Sequence, residues 1–411
     1  MKYPNDVRNR VHIYSEIGRL RRVLLHRPGL ELDNITPTNM YRLLFDELPY
    51  QRVAAEEHRA FASVFEDAGV EVFYLEDLLK DILRDSGVRR TFLLDFLKET
   101  RVGEAVAHDM VDILDNGDDL DKLVSVVFGG WRFEDFDSYN VQLRELDHQR
   151  TLWFDPLPNL YFTRDPMSVV GSGVMINSMW SKTRDRETLI YQYIVNHHPM
   201  FSGLPKYLVR GENATFEGGD ILVLSPQVLA VGISQRSDSS AVKMLARNIL
   251  NADAGFEHVL AFIIPERRAF MHLDTVFTMV DRDIFTIHPE VEGPLEIFDI
   301  RADKDGSLTA KSCGGHLENV LKKYLGLSEI ELIRCGGTSR IDAQREQWND
   351  ASNTLAIAPG EVVVYERNCV TNRLLREAGV TLHEIASSEL SRGRGGPRCM
   401  SSPLWRDDLD N

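Results

Sequence analysis

The stretch Thr354-Leu-Ala-Ile-Ala-Pro-Gly-Glu-Val-Val-Val-Tyr365 places two short apolar runs on either side of a Pro-Gly pair. Pro-Gly between such runs is typical of a tight turn, so residues 354–358 and 362–365 are predicted to be neighbouring strands. The sequence that follows indicates an amphipathic helix at 371–378 and a third strand at 380–385. This strand–strand–helix–strand unit is the clearest structural pattern in the chain.

The same order of elements is predicted four more times. The first unit consists of residues 22–26, 50–68 and 70–75, and the second of 161–170, 173–178, 184–196 and 207–209. The third consists of 219–224, 228–233, a helix that begins at Asp238-Ser-Ser240, and 258–264. The fourth consists of 275–280, 284–287, 316–324 and 329–333. No unit can bury its own faces, and radial repetition would bury them. The predicted fold class is α/β, a five-bladed ββαβ propeller with pseudo-fivefold symmetry. An open three-layer α/β sheet is the alternative.

Residues 76–149 interrupt this repeat with helical periods. Two apolar stripes at helical spacing indicate separate helices, one of Leu78, Leu79, Ile82 and Leu83 and another of Phe92, Leu93, Phe96 and Leu97. The only strand-like run predicted here is brief, at 124–128. The predicted organisation is therefore a propeller domain of 1–75 and 150–411 with an inserted all-helical bundle of 76–149.

The composition is that of a globular protein, with 411 residues, 47 Lys and Arg against 63 Asp and Glu, and a net charge of -16. The acidic balance argues against a nucleic-acid partner and suits a small cationic substrate. No apolar stretch approaches the roughly 20 residues that span a bilayer, and the N-terminus lacks the apolar segment of a signal peptide. A cytoplasmic protein with no membrane partner is therefore expected. Four scattered cysteines are expected to be free thiols.

The segment Ser391-Arg-Gly-Arg-Gly-Gly-Pro-Arg-Cys399-Met-Ser401 is the most unusual stretch of the chain. Its glycines and proline predict a tight loop that presents Cys399, whose thiolate would act as a nucleophile. Arg394 and Arg398 would favour the thiolate if they approach it in space. A buried structural thiol is one alternative. An RNA-binding Arg-Gly segment is another, although the net negative charge weighs against it.

The segment Met271-His-Leu-Asp274 sets a histidine and a carboxylate two residues apart. An extended backbone would project His272 and Asp274 to one face, because successive side chains of a strand alternate. A proton carrier would then lie beside a cation-binding carboxylate. A purely structural histidine is the alternative.

Two more segments place carboxylates beside predicted strands. In Asn213-Ala-Thr-Phe-Glu-Gly-Gly-Asp220, Glu217 and Asp220 flank two glycines that let another chain or a ligand approach the backbone. In Pro158-Asn-Leu-Tyr-Phe-Thr-Arg-Asp165-Pro, Asp165 ends a predicted aromatic strand. Each segment also fits an ordinary loop or turn.

A nucleophilic cysteine, a histidine and separate carboxylates are what an enzyme needs to attack the carbon of a guanidinium. The segments that carry them resemble the motifs of the arginine deiminase family, in the guanidino-group-modifying (pentein) superfamily. The resemblance extends over nearly the whole chain, including Ser15-Glu-Ile-Gly18, Leu25-His-Arg-Pro-Gly29 and Leu43-Leu-Phe-Asp46. It implies a five-bladed ββαβ propeller, and the helical insertion separates the family from related dimethylarginine hydrolases and agmatine deiminases.

Matched by motif, the resemblance implies that Cys399 is the nucleophile and His272 the general acid and base. Asp165 and Asp274 would bind the guanidinium, and Glu217 would orient His272 and share in that binding. The remaining implied residues contact the substrate: Arg184 and Arg236 at its α-carboxylate, Asn159, Phe162, Asp220 and Leu44 along the pocket, and Arg394 on a gating loop.

The implied reaction is hydrolysis of L-arginine to L-citrulline and ammonia through a covalent S-alkylthiouronium on Cys399. No metal or organic cofactor is implied, and Cys313 and His316 lack the second ligand pair of a zinc site. The family commonly forms homodimers or homotetramers, so one of these is expected. Another guanidino hydrolase, acting on agmatine or a methylated arginine, is one alternative. A propeller kept as a binding or structural module is the other.

Overall fold

The computed structural model describes residues 10–100, 102–116, 119–135, 151–211, 213–252, 254–266, 270–291 and 295–410. Within these ranges the strands are β1 (Leu20–Leu25), β2 (Glu71–Tyr74), β3 (Trp131–Arg132), β4 (Leu152–Phe154), β5 (Met167–Val170), β6 (Gly173–Ile176), β7 (Lys206–Leu208), β8 (Ile221–Ser225), β9 (Val228–Ile233), β10 (His258–Ile263), β11 (Phe277–Met279), β12 (Ile284–Ile287), β13 (Ile297–Ala302), β14 (Leu308–Ser312), β15 (Glu331–Arg334), β16 (Leu355–Ala358), β17 (Glu361–Tyr365), β18 (Thr381–Ile385) and β19 (Ser402–Arg406).

The helices of the same ranges are α1 (Leu30–Asp33), α2 (Gln51–Asp67), α3 (Leu75–Leu83), α4 (Ser86–Lys98), α5 (Glu104–Asp115), α6 (Leu120–Gly129), α7 (Lys182–His197), α8 (Ser239–Leu250), α9 (Leu317–Leu325), α10 (Arg340–Trp348) and α11 (Cys369–Glu377). Of these described helices, none has the length and apolar character needed to cross a membrane.

Five sheets share one plan, in which an antiparallel pair of strands is joined by a third strand parallel to the second. The orders are β19–β1–β2, β5–β6–β7, β8–β9–β10, β11–β12–β15 and β16–β17–β18. A helix lies between the two parallel strands of each sheet, as parallel pairing requires a long crossover. These are the strand–strand–helix–strand units predicted from the sequence, within a mixed α/β fold.

The two ends of the described chain meet in one sheet. The last strand, β19, pairs with β1, and isolated bridges join His12 to Trp405 and Ile13 to Gly171. The second bridge reaches the turn between β5 and β6, so the N-terminal segment ties the first sheet to the second. The C-terminal residues are therefore held by the N-terminal part of the chain.

The helices of the predicted insertion pack on the second unit. The ring of Phe92 meets that of Tyr193 on α7 edge-on at 5.1 Å between centroids, and Phe96 meets Phe154 at 5.7 Å. Both phenylalanines are fully buried, which stabilises the folded state by roughly 2–3 kcal/mol each. Helices α3 to α6 thus share a hydrophobic core with α7 and the sheet β5–β6–β7.

Several elements differ from the sequence prediction. The predicted strand at 124–128 is wrong, because these residues belong to α6, whose N-terminus is capped by the Asp119 carboxylate accepting from the Lys122 N–H. The strand predicted from residue 161 begins only at Met167. The hairpin β13–β14, which extends the third sheet, and the polar helix α10 were not predicted. The boundary at 149–150 lies outside the described residues.

The five sheets present equivalent segments next to one another. In every sheet one outer strand is antiparallel to the central strand, and each segment comes just before that outer strand. These outer strands are β5, β8, β11, β16 and β19. These segments hold Asp165, Glu217, His272, Asn353 and Cys399. The chemistry-bearing residues therefore occupy the same place in every unit.

Candidate active site

Cys399 lies in a turn directly before β19 and is 4% exposed. Its N–H donates to the side-chain oxygen of Asn353 at 2.9 Å, and its carbonyl accepts from the Arg164 N–H at 3.2 Å. A side chain at Gly396 would lie 2.8 Å from the Asn353 side chain, so the turn can approach only because this residue is glycine. The backbone of the cysteine is fixed on both sides.

His272 and Glu217 form a buried pair from two different sheets. Nε2 of His272 donates to Oε2 of Glu217 at 2.8 Å. A side chain at Gly219 would come within 2.6 Å of the imidazole, which explains the glycine beside Glu217. Burial lowers the pKa of His272, but the charge of Asp165 and the hydrogen bond to Glu217 outweigh it and raise the pKa to about 9. The imidazole is therefore a cation at neutral pH.

Glu217 is fully buried and stays ionised. Burial raises its pKa, but the cationic groups of Arg236, His272 and Arg184 outweigh burial and lower the pKa to about 2. Its second oxygen, Oε1, accepts from the backbone N–H of Trp180 at 3.1 Å. The carboxylate is thus held in one orientation beside the histidine.

Asp165 is held through one oxygen. Its Oδ2 accepts from Nη1 of Arg184 at 2.8 Å, and Glu187 binds the other side of the same guanidinium at 2.9 to 3.1 Å. Oδ1 of Asp165 is buried and has no hydrogen-bond partner among the described residues. This oxygen can therefore accept from a further donor.

Asp274 has the same arrangement beside Cys399. Its Oδ2 accepts from Nη1 of Arg398 at 2.7 Å and lies 3.9 Å from Sγ of Cys399. Its Oδ1 is buried and, within the described ranges, makes no hydrogen bond. Two aspartates from different sheets each offer one buried acceptor, and an arginine fixes the other oxygen of each.

Two arginines of the cavity wall stack on exposed tryptophans. The guanidinium of Arg236 lies 4.6 Å from the ring centre of Trp180, and Arg394 lies 3.3 Å from that of Trp348. Nε of Arg236 is buried without a hydrogen-bond partner in the described part of the chain. Arg394 has a left-handed backbone, φ 63°, which is uncommon for a residue other than glycine.

One cavity collects most of the predicted site residues. Its lining includes Leu44, Asn159, Phe162, Asp165, Arg184, Glu217, Arg236, His272, Arg394 and Cys399. Its volume is about 30 Å³, which is room for only one or two water molecules. A molecule the size of an amino acid therefore enters only if part of the wall moves.

Two predicted residues do not line this cavity. Asp274 lies beside Cys399 but outside the lining, and Asp220 binds the protein itself. The carboxylate of Asp220 accepts from the Leu273 N–H at 2.8 Å and from the Ser234 hydroxyl at 2.6 Å. Asp220 was predicted to line the pocket. In the structure it lies outside the lining, and its carboxylate instead fixes the segment that carries His272.

The backbone at residues 273–275 also differs from the prediction. These residues form a 3-10 turn, Leu273–Thr275, so the alternation that would place His272 and Asp274 on one face of a strand does not apply. His272 instead meets Glu217, and Asp274 meets Arg398 and Cys399. The turn lets two neighbouring residues serve different partners.

The surroundings of Cys399 disfavour its thiolate. Burial raises its pKa well above the ordinary value, and the charges of Asp274, Asp165 and Asp350 raise it further. The guanidinium of Arg398 is bound by carboxylates and does not offset these effects. The resting group in this structure is therefore a thiol.

Three residues of the cavity wall, Met271, Thr275 and Gly393, were not predicted. Asn353 was also missed, although it anchors both the Cys399 N–H and, through Nδ2, the Asp274 carbonyl at 3.2 Å. The signal for Asn353 was the repeat itself. It precedes β16 as the other site residues precede their strands.

Asp165, Glu217 and His272 bring ligand atoms within 4.8 Å of one another, as a metal site would. Arg184 already binds Asp165, and Glu217 already binds His272. Arg184 and His272 therefore supply the positive charge that these carboxylates pair with, so the cluster is an ion-pair network.

Comparison of the sequence with known proteins places this chain in a family. The family profile described as arginine deiminase matches residues 41–406. An arginine deiminase of Clostridium perfringens (strain SM101 / Type A) is 52% identical over 408 residues, 97% of this chain and 98% of the relative. An arginine deiminase of Streptococcus uberis is 47% identical over 407 residues, 97% of this chain and 98% of the relative.

Solved structures with the same fold are more distant in sequence. The amidinotransferase SxtG from Microseira wollei superposes with a TM-score of 0.54 at 12% identity, over 97% of this chain and 98% of that chain. A dimethylarginine dimethylaminohydrolase adduct with S-methyl-L-thiocitrulline gives 0.53 at 12% identity, over 93% and 99%. At these identities the likeness shows the fold alone.

Proposed function

Because this chain belongs to the arginine deiminase family of hydrolases that act on the guanidino C–N bond, we propose that it converts L-arginine and water into L-citrulline and ammonia. The observation that carries the proposal is the pair of buried aspartates, Asp165 and Asp274. Each has one oxygen fixed by an arginine and one oxygen without a hydrogen-bond partner among the described residues. A guanidinium has five N–H donors in a planar fork and satisfies both free oxygens.

The substrate cation would activate the nucleophile. In the free protein Cys399 is a thiol, because burial and negative charges disfavour the thiolate. A guanidinium bound by Asp165 and Asp274 places a positive charge beside Sγ and reverses this balance. The proton would leave as substrate binds, so the thiolate forms where its target carbon lies.

The reaction then needs one acid and one base, and His272 would supply both. The thiolate attacks the guanidinium carbon to give a tetrahedral adduct, and protonated His272 donates a proton to the departing nitrogen, which leaves as ammonia. The S-alkylthiouronium on Cys399 remains. Water attacks it after losing a proton to His272. The second adduct then loses its hydroxyl proton to solvent as the C–S bond breaks, which releases citrulline and the Cys399 thiolate. Glu217 would stabilise the imidazolium and share in binding the guanidinium.

The other end of the substrate would contact arginines. Arg236 lines the cavity with an unpaired buried Nε in the described structure, so a carboxylate would complete its hydrogen bonding. Arg184 is proposed at the α-carboxylate too, although in this structure its guanidinium is shared by Asp165 and Glu187. Asn159, Phe162 and Leu44 would line the pocket.

Entry of substrate would require the loop that carries Arg394 to move, because the closed cavity is too small for arginine. The contact of Arg394 with Trp348 lies at this wall of the cavity, so separating them would open it. Gly395 packs against the ring of Phe162, which lets the loop lie flat on the pocket. We therefore propose this segment as the gating loop.

We also propose that the five sheets close into one ring. Five sheets of one plan, with the last strand β19 paired to the first strand β1, support a closed five-bladed propeller. Residues 76–149 would be its helical insertion, and 1–75 with 150–411 its catalytic domain. The cytoplasmic location and the homodimer or homotetramer stay predictions.

The substrate assignment is tested by comparing L-arginine with agmatine, which has the same guanidinium but no α-carboxylate. Hydrolysis of L-arginine should be favoured over that of agmatine by at least about 100-fold in kcat/KM, because agmatine leaves the buried Nε of Arg236 unpaired. In Arg236→Gln this preference should collapse to less than about tenfold. Faster turnover of agmatine than of arginine would transfer the assignment to another guanidino hydrolase, and no turnover of either would favour a binding module.

The rate should fall on the alkaline side. His272 donates its proton in the first half-reaction, and its pKa is about 9 in the folded protein. A proton donor is present below its pKa and lost above it, so kcat/KM should decline tenfold per pH unit above about pH 9. Glu217→Gln removes an anion that raises this pKa, so the decline should begin at least about one pH unit lower. A pH–rate profile of both proteins from pH 6 to 10.5 checks this, and an unshifted alkaline limb would contradict it.

A further inference from the structure

Behind the nucleophile lies a buried group of charged side chains that the proposed mechanism does not use. Its centre is Glu16, which is 8% exposed and precedes β1. Its partner is Arg398, which is 1% exposed and directly precedes Cys399. They are 382 positions apart, so only the folded chain brings them together.

Both oxygens of Glu16 are engaged. Oε1 accepts from the N–H of Val223 on β8 at 2.9 Å, and Oε2 accepts from Nε and Nη2 of Arg398 at 3.2 and 3.1 Å. Nη2 of Arg398 also donates to the Ile221 carbonyl at 2.5 Å, and its Nη1 donates to Oδ2 of Asp274 at 2.7 Å. Arg398 is therefore held on one side by Glu16 and holds Asp274 on the other.

Glu16 balances an excess of buried positive charge. Burial raises its pKa, but Arg398, Arg164 and Arg406 outweigh burial and lower the pKa below its ordinary value. Burial, together with the charge of Arg398, lowers the pKa of Arg164 to about 9. Three arginines with so little solvent need a carboxylate among them, since uncompensated buried charge is costly.

The contact matters for chemistry because of the oxygen that it fixes. Arg398 binds the Asp274 oxygen that lies 3.9 Å from Sγ of Cys399, and the other oxygen has no hydrogen-bond partner in the described residues. A carboxylate is planar, so restraining one oxygen also restrains the direction of the other. Misplacement of a catalytic group by 1 Å can cost about 100-fold in rate.

We propose that Glu16 is a positioning residue for the reaction, which holds Arg398 so that Arg398 orients Asp274 toward the guanidinium N–H groups of the substrate. This inference rests on the proposed function, in which Asp274 binds a guanidinium. A residue from the segment before β1 would then control a carboxylate in the segment before β11. A purely structural role for Glu16 predicts loss of stability without a specific loss of cation recognition.

A matched pair of alkylating probes separates these roles without requiring turnover. 2-Chloroacetamidine is a small planar cation, and 2-chloroacetamide has nearly the same shape without the charge. Each reacts by attack of the Cys399 sulfur on the chlorine-bearing carbon, with loss of chloride and transfer of the thiol proton to solvent. The ratio of the two rates at Cys399, followed by peptide mass spectrometry, measures recognition of the cation by the carboxylates.

Glu16→Asp keeps the charge and withdraws the carboxylate by one methylene, so the variant is expected to fold. Its cation-to-neutral rate ratio should fall about tenfold, while its rate with 2-chloroacetamide changes less than about threefold. In Asp274→Asn the ratio should already be low, and adding Glu16→Asp should lower it no further, because Glu16 acts through Asp274. Glu71→Gln, which alters an exposed glutamate paired with Arg22, serves as the control and should match wild type.

Three outcomes would overturn the inference. If Glu16→Asp lowers the alkylation rate equally with both probes, Glu16 has a structural role only. If Glu16→Asp lowers the rate ratio as much in the Asp274→Asn background as in wild type, Glu16 does not act through Asp274. A wild-type protein with no preference for the cation would overturn the proposed function as well. Absence of citrulline with the expected ratios intact would overturn the proposed function alone.

Discussion

Replacing Cys399 with Ser should lower citrulline formation from L-arginine by at least about 10⁴-fold. A serine hydroxyl is far harder to ionise than a thiol, and even the thiol here has its pKa raised by burial and by the charge of Asp274. A bound guanidinium that can create a thiolate would not create an alkoxide. The oxygen is smaller than the sulfur and takes its place in a turn fixed by Asn353, so the fold should survive.

The measurement is kcat for citrulline release, with thermal unfolding to confirm that the variant is folded. Cys369→Ser is the matched control, because Cys369 is exposed at the start of α11 and lies outside the cavity lining. It should retain full activity. More than about one-tenth of wild-type activity in Cys399→Ser would remove the cysteine from the mechanism.

Replacing Asp165 with Asn should lower kcat/KM for L-arginine by at least about 10³-fold. The side chain keeps its shape but loses the charge that binds Nη1 of Arg184 and, in the proposed reaction, the substrate cation. The loss has a second component, because the same charge helps to raise the pKa of His272. Both the binding of the guanidinium and the supply of the proton should weaken.

Steady-state kinetics give the size of this effect, and calorimetric binding of L-arginine in the Cys399→Ser background separates binding from chemistry. Asp112→Asn is the matched control, since Asp112 makes an exposed ion pair with Arg90 on the helical segment. It should behave as wild type. A reduction of less than about tenfold in Asp165→Asn would mean that another group binds the guanidinium.

Local patterns were enough to predict the repeated unit. The Pro359-Gly360 turn between two apolar runs is found as the hairpin β16–β17, and the apolar stripes beginning at Leu78 and Phe92 are found as α3 and α4. In each case the signal is a short-range spacing that buries one face. The unpredicted α10 has little apolar periodicity, because most of its residues are polar.

Much of the site was predictable for a different reason, which is that the chemistry-bearing residues sit in unusual local sequences. Glycine and proline mark the turn of Cys399, and paired glycines mark the close approach of His272 to Glu217. The partners across the fold carried no such signal. Glu16 meets Arg398 across 382 positions, and no spacing rule relates them.

The protonation state of Cys399 shows the same limit. Arg398 adjoins the cysteine in sequence, but its guanidinium is bound by Glu16 and Asp274. Neighbouring positions in the chain do not establish which charges face one another. The direction of the pKa shift follows from burial and from carboxylates brought by other sheets.

The most direct test of the central claim is a mass spectrum of wild-type protein quenched in acid milliseconds after mixing with L-arginine. We expect a covalent adduct on the peptide that contains Cys399, with the mass of the S-alkylthiouronium formed from arginine after loss of ammonia. This adduct should decay as citrulline appears. Two findings together would contradict covalent catalysis by Cys399. One is citrulline formed at the full rate while Cys399 stays unmodified at every time point. The other is absence of the adduct in a His272 variant that is impaired in the second half-reaction.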